Sequence, residues 1–265
     1  MNVLESFSLK GRVAMVTGAG DPQGYGAQCA IGLWEAGATV YIAARSDDRM
    51  KAFCANYPGM RWKHLDMSVE SEIKAIIPAI VEECGRFDIL VNNAVSRAAV
   101  KKWDLSMDDF EKSLRVNGAG LYLITREAAL VMKKQHKGAI VNIGSYLGTL
   151  GLNHTNYDGT GMQTDSDEWP SPAYAFEKGG MANFTRWAAS ILGPDGIRVN
   201  HITLIGCSTQ LPPEKLFTQQ HANNTLLRRI CNETDLKGGV VYLASDASAF
   251  VTGATLPIDG GYSAV

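Results

Sequence analysis

The sequence predicts an α/β fold, a doubly wound parallel sheet with helices on both faces, and three observations carry that reading. Short β-branched runs, RVAMVT, ATVYIAA, FDILVNN, GAIVNIG and IRVNHI, alternate with longer amphipathic stretches such as GAQCAIGLWEAG and SEIKAIIPAIVEECG. The runs are apolar and flanked by helical segments, as strands covered on both faces require. A glycine cluster closes the first run and opens the first helical stretch, where α/β proteins receive a phosphate.

Composition narrows the class. The 265 residues are 46% hydrophobic and 20% charged, enough to bury a sizeable core. No linker, repeat or low-complexity tract divides the chain, so residues 1–265 are expected to form a single domain. The formal net charge of -2, with mixed signs throughout, offers no basic face to nucleic acid or an anionic membrane. Cys29, Cys54, Cys84, Cys207 and Cys231 are scattered without a CxxC, which fits reduced thiols rather than a disulfide framework or zinc site. The N-terminal segment MNVLESFSLKGR lacks a signal peptide's apolar region, and no stretch is long enough to span a membrane. A cytoplasmic protein with a small-molecule partner is expected.

Taken in order, the first strand ends in TGAGDPQGYGAQ, with Gly18, Gly20, Gly24 and Gly26 leading into a helix. Glycines there let the backbone turn tightly and approach a pyrophosphate, which the N–H groups of the helix start then meet. The second strand ends in YIAARSDD. Where an NAD site places a carboxylate on the ribose hydroxyls, this chain has Ala44 followed by Arg45. A guanidinium suits a 2′-phosphate, so NADP(H) is predicted, with NAD as the alternative should Asp47 or Asp48 hold the ribose.

Beyond these elements the chain resembles the short-chain dehydrogenase/reductase family from about Leu9 to its end. TGAGDPQGYG is similar to the family's TGxxxGxG loop with two extra residues between Gly18 and Gly24. LDMS places Asp66 at the adenine contact, and VNNA resembles NNAG, with Val95 in place of glycine. RVNGAG supplies Asn117, IVNIGSYLG supplies Ser145, YAFEK supplies Tyr174 and Lys178, and GIRVN and DGG complete the order. The resemblance implies a Rossmann fold and cofactor contacts at Gly18, Gly20, Gly24, Tyr25, Gly26, Arg45, Asp66, Met67, Asn93, Ala94, Tyr174, Lys178 and Thr209. No metal is implied. Two departures stand out: Leu204-Ile205 replaces the usual Pro-Gly at the nicotinamide edge, and Ser145 and Tyr174 are 29 positions apart where most members have about a dozen.

The candidate catalytic residues are Asn117, Ser145, Tyr174 and Lys178. An unperturbed phenol titrates near pH 10 and is a poor proton carrier at neutral pH. Tyr174 and Lys178 share one helix face at i and i+4, so the ammonium favours the phenolate. A phenol so tuned gives a proton to a carbonyl oxygen, or takes one from an alcohol, as hydride moves to or from a nicotinamide. Ser145 follows an apolar strand and is expected to hydrogen-bond the substrate oxygen. Asn117 falls within the predicted helix FEKSLRVNGAGLYLI, and the resemblance implies that it holds a water linking Lys178 to solvent.

The polar stretch 153–172, NHTNYDGTGMQTDSDEWPSP, reads as an insertion loop. Its mixture of amides, carboxylates and aromatic rings suits a polyhydroxylated ligand, and a run like Tyr157 to Thr160 occurs in a subgroup of the family associated with sugar metabolism. A surface or subunit-contact excursion is the other reading of this loop. Residues 208–230 fall where the family has its mobile substrate cover. The favoured function is a secondary alcohol–ketone oxidoreductase. A 3-oxoacyl thioester reductase is the alternative, which the IGSYLGTLG stretch resembles; a polar insertion argues against an acyl groove. An enoyl reductase fits less well, its tyrosine and lysine being farther apart. A cofactor-binding regulator without turnover is the reading from another class. Apolar helices such as GLYLITREAALVM resemble the family's subunit contacts and imply a homodimer or homotetramer.

Overall fold

The structure is a computed structural model that describes residues 2–96, 105–160, 172–206 and 211–264. Seven parallel strands form one sheet: β1 (Val13–Thr17), β2 (Thr39–Ala44), β3 (Arg61–His64), β4 (Ile89–Asn92), β5 (Gly138–Ile143), β6 (Ile197–Leu204) and β7 (Thr255–Ile258), in the order β3-β2-β1-β4-β5-β6-β7. The order reverses between β1 and β4, the switch point at which open α/β sheets bind ligands.

The two faces of the sheet are lined by alternate residues of the same strands. Ala14, Val16, Val40, Ile42, Ile89 and Val91 point into one core, together with residues of α1 (Tyr25–Glu35), α2 (Asp47–Cys54) and α8 (Asp235–Ala244). Val13, Met15, Tyr41, Ala43 and Leu90 point into the other, against α3 (Glu70–Cys84), α5 (Leu121–Gln135) and α6 (Pro172–Leu192). Each Leu, Ile or Val removed from water contributes about 1.5–3 kcal/mol, which is why both faces select apolar residues and the strands lose a period-two pattern.

Strands β3 and β7 escape the apolar-run criterion because they are the sheet's edges. Arg61, Trp62 and His64 of β3 are exposed, and Lys63 Nζ pairs with Glu83 Oε1 at 2.6 Å. Strand β7 carries Pro257, whose missing N–H an edge strand tolerates because no outer strand needs it as a donor.

The predicted helix through Asn117 is not continuous. Helix α4 (Met107–Leu114) and α5 are joined by a π-helical turn, Arg115–Gly120. Backbone crowding accompanies the wide turn, since a Cβ on Gly120 would lie 2.5 Å from the Met67 carbonyl oxygen. Such turns are frequent at functional sites. The remaining helix of the described residues, α7 (Leu216–Asn223), packs against the turn His154–Asn156 in the first part of the polar stretch. Among the described residues no helix is long and apolar enough to cross a membrane.

Candidate active site

A cleft of roughly 930 Å³ opens at the carboxyl ends of β1, β2 and β4, and every predicted cofactor residue from Gly18 to Ala94 lines it. Gly18 adopts φ +69°, and a Cβ there would meet the Ala94 Cα at 2.5 Å, so the loop closes over β4 only with glycine. Thr17 Oγ1 accepts from the Asn93 and Ala94 N–H groups, both at 3.1 Å, and Asn93 Nδ2 donates to the Gly18 carbonyl at 3.1 Å. Gly24 caps α1 without a side-chain acceptor, so the helix start presents its N–H groups to the cleft. These features fit a dinucleotide pyrophosphate.

At the adenosine end, Arg45 is joined by Arg49, one turn along α2. Arg49 belongs to no motif, and its one signal in the sequence is the i+4 spacing from Arg45. Asp47 is engaged elsewhere, with His64 Nδ1 2.8 Å from its Oδ1, and that bond raises the imidazole's pKa. Neither Asp47 nor Asp48 lines the cleft. Burial opposes the charge of Asp66, but the Ser68 N–H and hydroxyl, at 2.8 and 2.7 Å, and then the charge of Arg45 outweigh it and hold its pKa low. At the opposite end, Leu204 and Ile205 are buried, and Tyr25 donates from its hydroxyl to the Ile205 carbonyl at 2.6 Å. The glycine loop thereby grips the segment that replaces Pro-Gly. Thr209 lies outside the described residues.

Ser145, Tyr174 and Lys178 lie beyond β5, and Asn117 reaches the same helix through Glu177. Pro172 starts α6, so Tyr174 falls in its first turn and Lys178 one turn on. Lys178 is buried; its Nζ donates to the Ile143 carbonyl at 2.8 Å and stands 5.7 Å from the centre of the Tyr174 ring. Ser145 follows β5, and its Oγ accepts from the Leu147 N–H at 3.2 Å, shaping the turn Tyr146–Gly148. That turn lies directly on α6: a Cβ on Gly148 would come within 2.5 Å of the Lys178 carbonyl oxygen. Tyr174 is half-buried, as a phenol meeting a substrate must be.

Asn117 is buried and fully engaged. Its Oδ1 accepts from the Ser96 N–H at 2.7 Å, and its Nδ2 donates to the Ser96 carbonyl and Ser113 Oγ, both at 3.2 Å, and to Glu177 Oε2 at 2.7 Å. Glu177, immediately before Lys178, was not singled out from the sequence, where it reads as one more helical glutamate.

Of the polar stretch, residues 161–171 lie outside the described residues, and 153–160 form an arm against α7. Asn156 is wholly buried, donating to the Tyr262 hydroxyl at 2.8 Å and accepting from Asn224 Nδ2 at 2.7 Å. The Tyr157 ring packs 5.3 Å from Phe217, and the Tyr146 ring 4.9 Å from Tyr262. Burial pushes the Tyr157 phenol up to about 12 and raises that of Tyr146 as well. Both phenols are therefore held neutral, whereas the Tyr174 ring stands beside the Lys178 ammonium.

A family model described as enoyl-(acyl carrier protein) reductase matches residues 18–263. A protein of Aspergillus oryzae described as a short chain dehydrogenase/reductase is 31% identical over 274 residues, covering 98% of each chain. Cis-4-hydroxycyclohexanecarboxylate dehydrogenase of Sinomonas cyclohexanicum is 32% identical over 262 residues, covering 96% of this chain and 97% of that one. The crystal structure of a gluconate 5-dehydrogenase from Burkholderia cenocepacia, in complex with NADP and tartrate, superposes with a TM-score of 0.85 at 26% identity over the full length of both chains.

Proposed function

The chain belongs to the short-chain dehydrogenase/reductase family, whose NAD(P)-dependent dehydrogenases act on CH–OH groups, and from that premise we propose that it interconverts a secondary alcohol and a ketone on a polar, hydroxylated substrate with NADP(H). The observation that carries the reading is the buried Lys178 ammonium beside the half-buried Tyr174 phenol, on a helix tied through Glu177 and Asn117 to Ser96 in the wall of the glycine-loop cleft. The nicotinamide, when bound, supplies or accepts the hydride.

Each residue's part follows from its chemistry. Tyr174 carries the proton to or from the substrate oxygen, and Ser145 orients that oxygen by hydrogen bonding. Lys178 stabilises the phenolate electrostatically and, held by the Ile143 carbonyl, stays in one place. Arg45 and Arg49 favour a 2′-phosphate, and the engagement of Asp47 with His64 removes a carboxylate that would bind ribose hydroxyls. A phosphorylated nucleotide also accompanies the gluconate 5-dehydrogenase relative. We take 153–172 as an insertion specific to this branch of the family and a wall of the substrate site, with 208–230 as its cover and the whole chain as one domain. Exposed apolar side chains on α5 and α6, among them Tyr122, Leu130, Trp187 and Ile191, offer a face for a homodimer or homotetramer.

The test is oxidation of NADPH and NADH against ketosugars, diketones and a 3-oxoacyl thioester, followed at the nicotinamide absorbance. Tyrosine-dependent turnover of a hydroxy-ketone with NADPH supports the reading. Turnover of the thioester alone replaces it with the acyl reductase, and tight nucleotide binding without turnover replaces it with a regulator.

A further inference from the structure

We propose that Glu177 is a positioning residue that fixes the Asn117 amide and, through it, draws the Ser96 wall of the nucleotide cleft onto the Tyr174–Lys178 helix. The inference rests on the proposed chemistry for its turnover arm and on geometry alone for its binding arm.

The Asn117 amide does not depend on Glu177 for an acceptor. The Asn117 amide has two hydrogens, and two acceptors, Ser96 O and Ser113 Oγ, stand at 3.2 Å before any carboxylate is counted. Glu177 Oε2 is a third and closer acceptor at 2.7 Å. It is also costly where it lies. The residue is 5% exposed, and its other oxygen, Oε1, is buried with no hydrogen-bond partner among the described residues. An orphaned carboxyl oxygen pays its desolvation in full. Burial accordingly raises the pKa of Glu177, against the lowering effects of Asn117, Ser113 and Lys178. A carboxyl this buried costs stability, and what it contributes in return is its hold on the Asn117 amide and the Ser113 hydroxyl.

Those neighbours form one chain of contacts. Glu177 sits on α6 beside Lys178 and holds Asn117 of the π-helical turn; Asn117 grips both the N–H and the carbonyl of Ser96; and Ser96 lines the nucleotide cleft. The carboxyl thus ties the helix carrying the proton donor to the wall of the cleft next to Asn93 and Ala94. Without it the amide still has partners, but none of them among the described residues is on α6.

Glu177→Leu removes the acceptor while keeping an apolar volume, and Glu177→Gln keeps an acceptor oxygen for Asn117. The leucine variant is expected to melt at or above the wild-type temperature, to bind NADPH about tenfold more weakly by nicotinamide fluorescence titration, and to lose about tenfold or more in kcat. The glutamine variant is expected to recover most of both losses. Wild-type binding and kcat in the leucine variant overturn the proposal. So does a leucine variant that fails to fold, or one whose losses follow a lowered melting temperature and are not recovered by glutamine, because the carboxyl is then simply structural. The titration needs no turnover, so a wild-type protein that binds nucleotide but reduces no ketone sinks the proposed function while the binding arm still decides the role of Glu177.

Discussion

Lys178 Nζ lies 5.7 Å from the centre of the Tyr174 ring while it donates a 2.8 Å hydrogen bond to the Ile143 carbonyl at the end of β5. The ammonium is thus anchored to the sheet, and the phenol is carried by the helix that the sheet supports. Tyr174→Phe keeps that packing and removes only the ionisable oxygen. It is expected to bind nucleotide like the wild type and to lose about 10²–10⁴-fold in kcat. Lys178→Ala should lose turnover and nucleotide affinity together. Full activity in Tyr174→Phe would refute the proton-transfer assignment.

The arginine pair makes a separable prediction. Arg45 and Arg49 both line the adenosine end of the cleft, and no Asp47 or Asp48 carboxylate does. Arg45→Ala and Arg49→Ala should each raise the Michaelis constant for NADPH about tenfold, the worth of one charge-assisted hydrogen bond, and leave that for NADH nearly unchanged. Equal losses with both nucleotides would mean that the arginines support α2 rather than read a phosphate.

Asn156 fastens the arm to α7. It is wholly buried, with the Tyr262 hydroxyl as acceptor on one side and Asn224 Nδ2 as donor on the other. Asn156→Ala leaves both partners short and should cost about 1–3 kcal/mol. Hydrogen exchange should quicken first in α7 rather than in the sheet, because Asn224 caps α7 and Tyr262 lies in the C-terminal turn. Uniform loosening would show that the arm is part of the global core.

Much of this architecture is written in local chemistry. The central strands are apolar because both faces are covered, and the glycine loop and the four-residue Tyr174–Lys178 spacing are backbone and helix-face constraints visible in one dimension. The edge strands β3 and β7 were not legible, since the exposed Arg61, Trp62 and His64 and the Pro257 follow solvent, not core. The π-helical turn was hidden as well, because RVNGAG has acceptable helical residues and only the approach of Gly120 to Met67 accompanies the widening. Glu177 and Asn156 look like ordinary polar residues until long-range partners, 60 and 106 positions away, make them buried.

A final prediction concerns pH. His201 of β6 is fully buried, its Nε2 has no partner among the described residues, and burial, followed by the nearby charges of Lys178 and Arg186, lowers its pKa to about 4. In the unfolded chain an imidazole titrates near 6.5. Between those values the unfolded state binds a proton that the folded state refuses, so stability must fall as the pH drops from about 6.5 towards 4 and change little above 7 on this account. The full difference corresponds to roughly 3 kcal/mol. His221, also lowered by burial, adds to the same acid limb. Urea titrations across that range should show the slope, and His201→Gln, which cannot take up the proton, should flatten it. An unchanged slope in that variant would assign the acid sensitivity to His221 or the carboxylates.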